Sequence, residues 1–159
     1  MKYRTLITAA EVIEMAFADA EYIPPEAIAE SDIAAAERRY MVPVMGRALY
    51  ERLKEGKYAQ FKEEYAAPAL AACVRVMVQP LLNVRCGACG VAVPAGEGME
   101  QADERQRAEL MRALRRRARE LTARMSEHLQ AHAAEYKEYD DESNILNRCT
   151  IYGDIIAVR

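Results

Sequence analysis

Apolar residues recur at three- and four-residue steps along most of this 159-residue chain, and those steps predict a helical protein. Thr8, with Glu11 three residues later, has the pattern of a capping box, in which two side chains satisfy the free N–H groups at a helix start. Ala9, Val12, Ile13, Ala16, Phe17 and Ala20 then mark one apolar face, and Pro24-Pro25 is expected to end the helix. Ser31 or Asp32 is placed to cap a second helix, whose face carries Ile33, Ala36, Tyr40, Met41 and Val44. Pro43 should interrupt or kink it, and Gly56 is a stop signal. The pattern is helical again from Tyr58 to Arg85, with Pro68 expected at the first turn of a new helix. The run from Ala69 to Leu82, broken only by Arg75 and Gln79, predicts the most buried helix.

The thirteen positions from Cys86 to Gly98 hold four glycines and a proline, which predicts a long loop. Beyond it, Leu110, Leu114, Ala118, Leu121, Met125 and Leu129 form a narrow stripe suited to antiparallel packing. A helix over 99–134 would be about 54 Å long, more than the diameter of a domain this size, so part of it should project or meet another chain. Asp140 to Asn147 reads as polar. Thr150 to Val158, with β-branched residues around Gly153-Asp154, reads as a short hairpin or extended arm that needs something to lie against. The expected fold is thus all-α, a bundle of about four to five helices with a long last helix and a short C-terminal arm or hairpin. The helical domain should span 1–138 and the arm 139–159.

Composition supports this picture. Hydrophobic residues make up 52% and charged residues 30%, with 7 Gly, 6 Pro and no Trp, a balance that suits one folded domain and favours helix. No apolar run approaches the roughly 18–20 residues of a membrane span, so no membrane partner is expected. Met1-Lys2-Tyr3-Arg4 is not followed by a long apolar stretch, so no signal peptide is expected either. Cys73, Cys86, Cys89 and Cys149 then read as reduced thiols in a cytoplasm.

The net charge of −3 argues for no particular partner, but its distribution is uneven. From Glu11 to Glu37 there are eight acids and no Lys or Arg; from Asp103 to Arg124 there are eight arginines against four acids. Residues 135–142 return to five acids and one lysine. One reading pairs these charges within the monomer. A second sets the acidic face of one subunit against the arginine-rich face of the next, a heterologous contact that closes into rings when the rotation allows. A third gives the arginines to nucleic-acid phosphates, without aromatic stacking positions or a basic balance to support it. The candidate interface comprises Glu11, Glu14, Arg112, Arg115, Arg116 and Arg119, with Tyr152, Ile155 and Ile156 in the arm.

Catalytic arrangements mostly fail. There is no phosphate loop, nucleophile elbow or His-Glu-x-x-His, so no enzyme and no cofactor is expected. Cys86-Gly87-Ala88-Cys89 with His128 and His132 has the donor types of a zinc site. On a helix unbroken from Met99, His128 lies about 43 Å along, whereas the ten residues back to Cys89 reach at most about 36 Å. One chain cannot close that site, and no metal is expected. Cys86 and Cys89 follow a helix in a glycine-rich loop, which also disfavours thiol activation. Glu37 sits among apolar neighbours; a general base is one reading, and pairing with an arginine or capping another helix is the favoured one.

The stretch Ala36-Glu37-x-x-Tyr40-x-x-Pro43-x-x-Gly46-x-x-Leu49-Tyr50-x-x-Leu53 resembles the signature of small phage and prophage proteins related to head–tail connectors. Tyr58, the helix near Pro68, the glycine-containing loop and the long last helix follow in the same order, over roughly residues 5–136. The resemblance implies an all-helical structural subunit of a ring between portal and tail, with DNA passing through the bore. It implies portal and tail proteins as partners, and a location in the host cytoplasm during assembly and in the virion if the phage is active. It also gives the Cys86–Gly98 loop a place at the channel or an adjoining ring, and makes the C-terminal arm a docking element. Two other readings stand beside it: a metal- or thiol-dependent regulator built on Cys86, Cys89, His128 and His132, and a helical adaptor unrelated to phages.

Overall fold

Thr8 accepts a hydrogen bond from the Glu11 N–H at 3.3 Å while Glu11 accepts from the Thr8 N–H at 2.7 Å, so the first helix, α1 (Ala9–Ala16), starts on the capping box its sequence announces. This computed structural model describes residues 4–18, 21, 23–82, 85–87, 90–92, 102–152 and 155–158, with backbone only for 85–87, 90–92, 148–152 and 155–158. Helix α1 ends at Ala16, well before Pro24-Pro25. The reason lies far away in sequence. The Arg75 guanidinium donates to the Ala16 carbonyl and stacks over the Phe17 ring at 4.3 Å, so a cation and a buried ring close the helix C-terminus. Pro25–Ala27 then forms a 3₁₀ turn.

Helix α2 covers residues 30–45. Its N-cap is Ala29, not Ser31 or Asp32; Asp32 lies in the first turn, where its carboxylate accepts from the Ala29 N–H at 3.3 Å. The expected interruption at Pro43 takes the form of a π turn over Glu37–Met41, and the helix itself breaks at Gly46, whose φ of +80° suits glycine alone. Helix α3 (Arg47–Lys54) ends as expected on Gly56, with the Lys57 N–H bonded back to the Arg52 carbonyl at 3.0 Å.

Helix α4 (Ala59–Leu82) runs on through Pro68 instead of restarting there. A π turn over Lys62–Ala66 again precedes the proline by two residues. In both helices the turn widens the ladder where the proline ring would otherwise press on the carbonyl of the previous turn and where its missing N–H would leave a gap. By length and composition α4 is long and apolar enough to cross a membrane, which corrects the expectation that no stretch approaches that size. It is the central helix of the bundle: Ala69 through Arg75 are all buried, and α1, α2 and the last long helix pack around it.

Arg85–Gly87 (β1) and Gly90–Ala92 (β2) pair antiparallel, Cys86 opposite Val91, so the segment read as an open loop begins with a small hairpin. Helix α5 spans Glu104–Ala131, shorter at both ends than the expected 99–134, and its 28 residues are about 42 Å long. Asp103 caps it, accepting from the Gln106 N–H at 2.7 Å. Leu114, Ala118, Met125 and Leu129 of its stripe are buried, while Leu110 is 39% exposed. Every residue from 102 to 110 is exposed, so the first turns of α5 stand clear of the other described elements.

The packed body continues past residue 138. Tyr139 is buried, and the fully buried Asn144 donates to Ser126 of α5 and to Tyr139, both at 2.8 Å. A 3₁₀ turn (Asp141–Ser143) and one helical turn, α6 (Ile145–Arg148), follow. Cys149–Tyr152 (β3) and Ile155–Val158 (β4) then pair as the C-terminal hairpin. The molecule is an all-α bundle with a long last helix and two small hairpins. Its core is one continuous cluster in which Ile7, Ile33, Met41, Met45, Leu49, Leu53, Leu70, Met125 and Leu129 are fully buried, each contributing about 1.5–3 kcal/mol.

Candidate functional site: an arginine-rimmed groove

Three helices surround α4, and they do not close around it. Between α2 and α5 a groove of about 970 Å³ leaves a strip of α4 showing, with Cys73 and Val76 at its floor. Tyr40, Pro43 and Val44 form the α2 wall, and Ala118, Thr122 and Ala123 the α5 wall. Ile145 and Leu146 of α6 edge it and are 54% and 44% exposed, unusual for large apolar side chains. The rim carries Arg39 from α2 and Arg112, Arg115, Arg116 and Arg119 from α5, and no carboxylate lines it among the described residues.

Helical spacing explains the rim. Positions 112, 115, 116 and 119 fall on one face at three- and four-residue steps, so the four α5 arginines expected at an interface do share a surface. Arg112 approaches Glu109 at 3.9 Å, and Arg39 lies 5.4 Å from the centre of the Tyr40 ring. Arg115, Arg116 and Arg119 make no ion pair among the described residues. On the floor, burial pushes the Cys73 thiol up to about 11, only partly offset by its 3.8 Å contact with the Thr122 hydroxyl, so it sits there as an inert neutral thiol.

Glu11 and Glu14 do not join this surface. Glu11 is held in its capping box, and Glu14 points outward from α1. The Arg117 guanidinium donates to the Met15 carbonyl at 3.2 Å, fixing α1 beside α5. At about 100° per residue, Arg117 is roughly 150° round α5 from the middle of the Arg112–Arg119 stripe. The acidic helix and the groove therefore flank α5 on opposite sides. Tyr152, Ile155 and Ile156 belong to the C-terminal hairpin, where Tyr152 stands opposite Ile155; their side chains lie outside the described residues.

The histidines face elsewhere. His128 stacks on Tyr65 at 4.0 Å and on His132 at 4.3 Å, and its Nε2 shares a 3.0 Å hydrogen bond with the Tyr136 hydroxyl. His132 reaches the His128 carbonyl through Nδ1 at 3.0 Å, as a capping side chain does at a helix C-terminus. No group of three or more His, Cys, Asp or Glu is arranged to hold a metal among the described residues. The side chains of Cys86 and Cys89 lie outside them.

Among the described residues Glu37 makes no ion pair with an arginine and caps no helix; it holds three segments together. It is buried, accepting from the Leu6 N–H at 2.5 Å and from the Tyr50 hydroxyl at 2.7 Å, and so ties the segment before α1 to α2 and α3. The same contact raises the Tyr50 phenol, first by burial and then through the neighbouring carboxylate.

A family model matches residues 41–148, more than half of the chain. The protein belongs to a family of unknown function, DUF6712. No curated protein and no solved structure matches it. The DUF6712 match takes in α3, α4, α5 and α6, hence the groove floor and four of the five rim arginines, and leaves out α1 and Arg39.

The α5 arginines stand out in the sequence by their excess over acids from Asp103 to Arg124, and the rest of the groove does not. The available signal was Ile145-Leu146, two large apolar residues inside a stretch otherwise read as polar. The contribution of Arg39, Tyr40, Pro43 and Val44 depends on how α2 crosses α5, which no local pattern encodes.

Proposed function

We propose that this protein is a structural subunit of a ring used in virion assembly, of the kind head–tail connectors form between portal and tail. The observation that carries the reading is the first part of α5. Its opening turns stand free of the other described elements, directly beside a rim arginine cluster with no acidic partner at three of its positions. A helix of about ten unsupported residues is marginal in water, so this end gains most when a neighbouring chain covers it.

The resemblance to phage connector proteins supports the same reading, and the structure gives its residues physical roles. Glu37 and Tyr50 form the buried hydrogen bond, Gly46 takes the positive φ between α2 and α3, and Leu49 and Leu53 fill the core. In this reading the ring is assembled in the host cytoplasm, binds portal and tail proteins, and passes DNA through its bore without chemistry of its own.

The decisive experiment is native mass spectrometry with negative-stain microscopy of the purified full chain, alone and with a purified phage portal ring. Closed rings, or cyclic oligomers seated on the portal, are expected. A chain that stays monomeric at high concentration and does not bind the portal would sink the proposal.

A further inference from the structure

We infer that the arginine-rimmed groove between α2 and α5 is the seat of the acidic α1 flank of a second copy of this chain. The inference rests on the ring reading and names its contact surfaces.

The groove lies between two helices and over a third. Helix α4 packs against α1, α2 and α5, and between α2 and α5 the groove reaches down to it at the buried Cys73 and the partly buried Val76. Its walls are apolar and its edge carries the exposed Ile145 and Leu146, so an occupant must offer apolar surface at its centre. Among the described residues its rim carries five arginines and no carboxylate, so the occupant must bring acidic groups at its margins. At 112, 115, 116 and 119, like charges three and four residues apart cost the helix stability that an acidic partner returns.

This chain carries such a surface. From Glu11 to Glu37 it has eight acids and no cation; Glu37 is buried and Glu21 pairs with Arg75 at 2.8 Å, so the surface is made by exposed acids such as Glu14 and Glu26. Glu14 on α1 and Glu26 on the following 3₁₀ turn are exposed and have no ion-pair partner among the described residues. Ile13 and Met15 beside them are only partly buried and supply apolar area.

The two surfaces cannot meet within one molecule. The Arg117 contact with Met15 pins α1 to the flank of α5 turned away from the groove. A surface and its complement on opposite flanks of one chain make a head-to-tail contact, the kind that closes into a ring. Arginine suits the rim because its planar fork meets a carboxylate through two N–H donors.

The test is a charge exchange in the full chain, read by sedimentation velocity across a concentration series, with circular dichroism to confirm folding. One variant carries Arg115→Glu, Arg116→Glu and Arg119→Glu; the other carries Glu14→Arg and Glu26→Arg. Each is expected to weaken self-association by about tenfold or more, and a 1:1 mixture to restore it, because each variant then meets its opposite. Variants that associate like the wild type, or a mixture that stays dissociated, would overturn the inference. So would crosslinks that place the chain's own C-terminal hairpin, or a different protein, in the groove. Salt gives a second measurement that needs no variant: raising it to about 1 M shortens the Debye length to about 3 Å, and association that does not weaken counts against the contact. If charge-reversed chains still build rings that bind the portal, only this inference falls. If the wild type remains monomeric and binds no portal, the ring reading falls with it.

Discussion

Replacing Glu37 by alanine would leave the Leu6 N–H and the Tyr50 hydroxyl buried without their acceptor, and unmet buried donors cost far more than a lost surface contact. Glu37→Ala is therefore expected to destabilise by about 2–4 kcal/mol in urea unfolding. Glu37→Gln is expected to cost only about 1 kcal/mol, since its amide oxygen can accept from Leu6 and its nitrogen can donate to the Tyr50 oxygen. Equal losses in the two variants would show that the anchor needs charge rather than hydrogen-bond complementarity. His128 sets a second test at this scale. Burial pushes its imidazole below the ordinary value of 6.5; His132 and Arg124 act the same way, while Glu135 and Glu64 oppose them. The native state thus binds fewer protons at this site than the unfolded chain, and stability falls as pH drops through the region of 6.5. His128→Phe retains an aromatic ring against Tyr65 and removes that titration. Its urea midpoint should change less than the wild type's between about pH 7.5 and about pH 5.5; an equal change would place the titrating group elsewhere.

Among the elements, α5 divides into two halves held by different forces. From Leu114 onward its stripe is packed on α4, whereas residues 104–110 are held by the Asp103 cap and by pairs such as Arg105–Glu109 at 3.1 Å. Backbone amides before 114 should exchange with solvent orders of magnitude faster than those around Met125 when read by hydrogen-exchange mass spectrometry. Uniform protection along the whole helix in the isolated chain would refute that division. The same elements mark where sequence was legible. The capping box at Thr8, the stop at Gly56 and the α5 stripe are local devices, complete within a few residues, and each stands where its pattern placed it. The end of α1 was not legible, because the arginine that closes it lies 59 residues away. Nor were the π turns before Pro43 and Pro68: a proline in a helical pattern signals a break, and only the surrounding core decides whether the chain breaks or widens by a residue. The groove was half legible, its α5 rim by the excess of arginine over acid and its α2 wall by no local signal.

At the scale of the whole molecule, the bundle is a core helix packed against α1, α2 and α5 with an open groove between the last two, and with opposite charge on the two flanks of α5. Neither feature helps the isolated chain: the open groove leaves apolar surface in water, and the arginine stripe repels itself. In the proposed ring both are answered by a second copy placed in the same orientation as the first. The open groove has a consequence beyond geometry. A partner that binds the folded chain and not the unfolded one adds RT ln(1 + [L]/Kd) to the free energy of folding, and in the proposed ring that partner is the protein itself. The melting temperature then has no single value. It becomes a reading of abundance, low while the chain is scarce and rising as copies accumulate, so that mass action alone ties the lifetime of each subunit to the presence of enough others to build with.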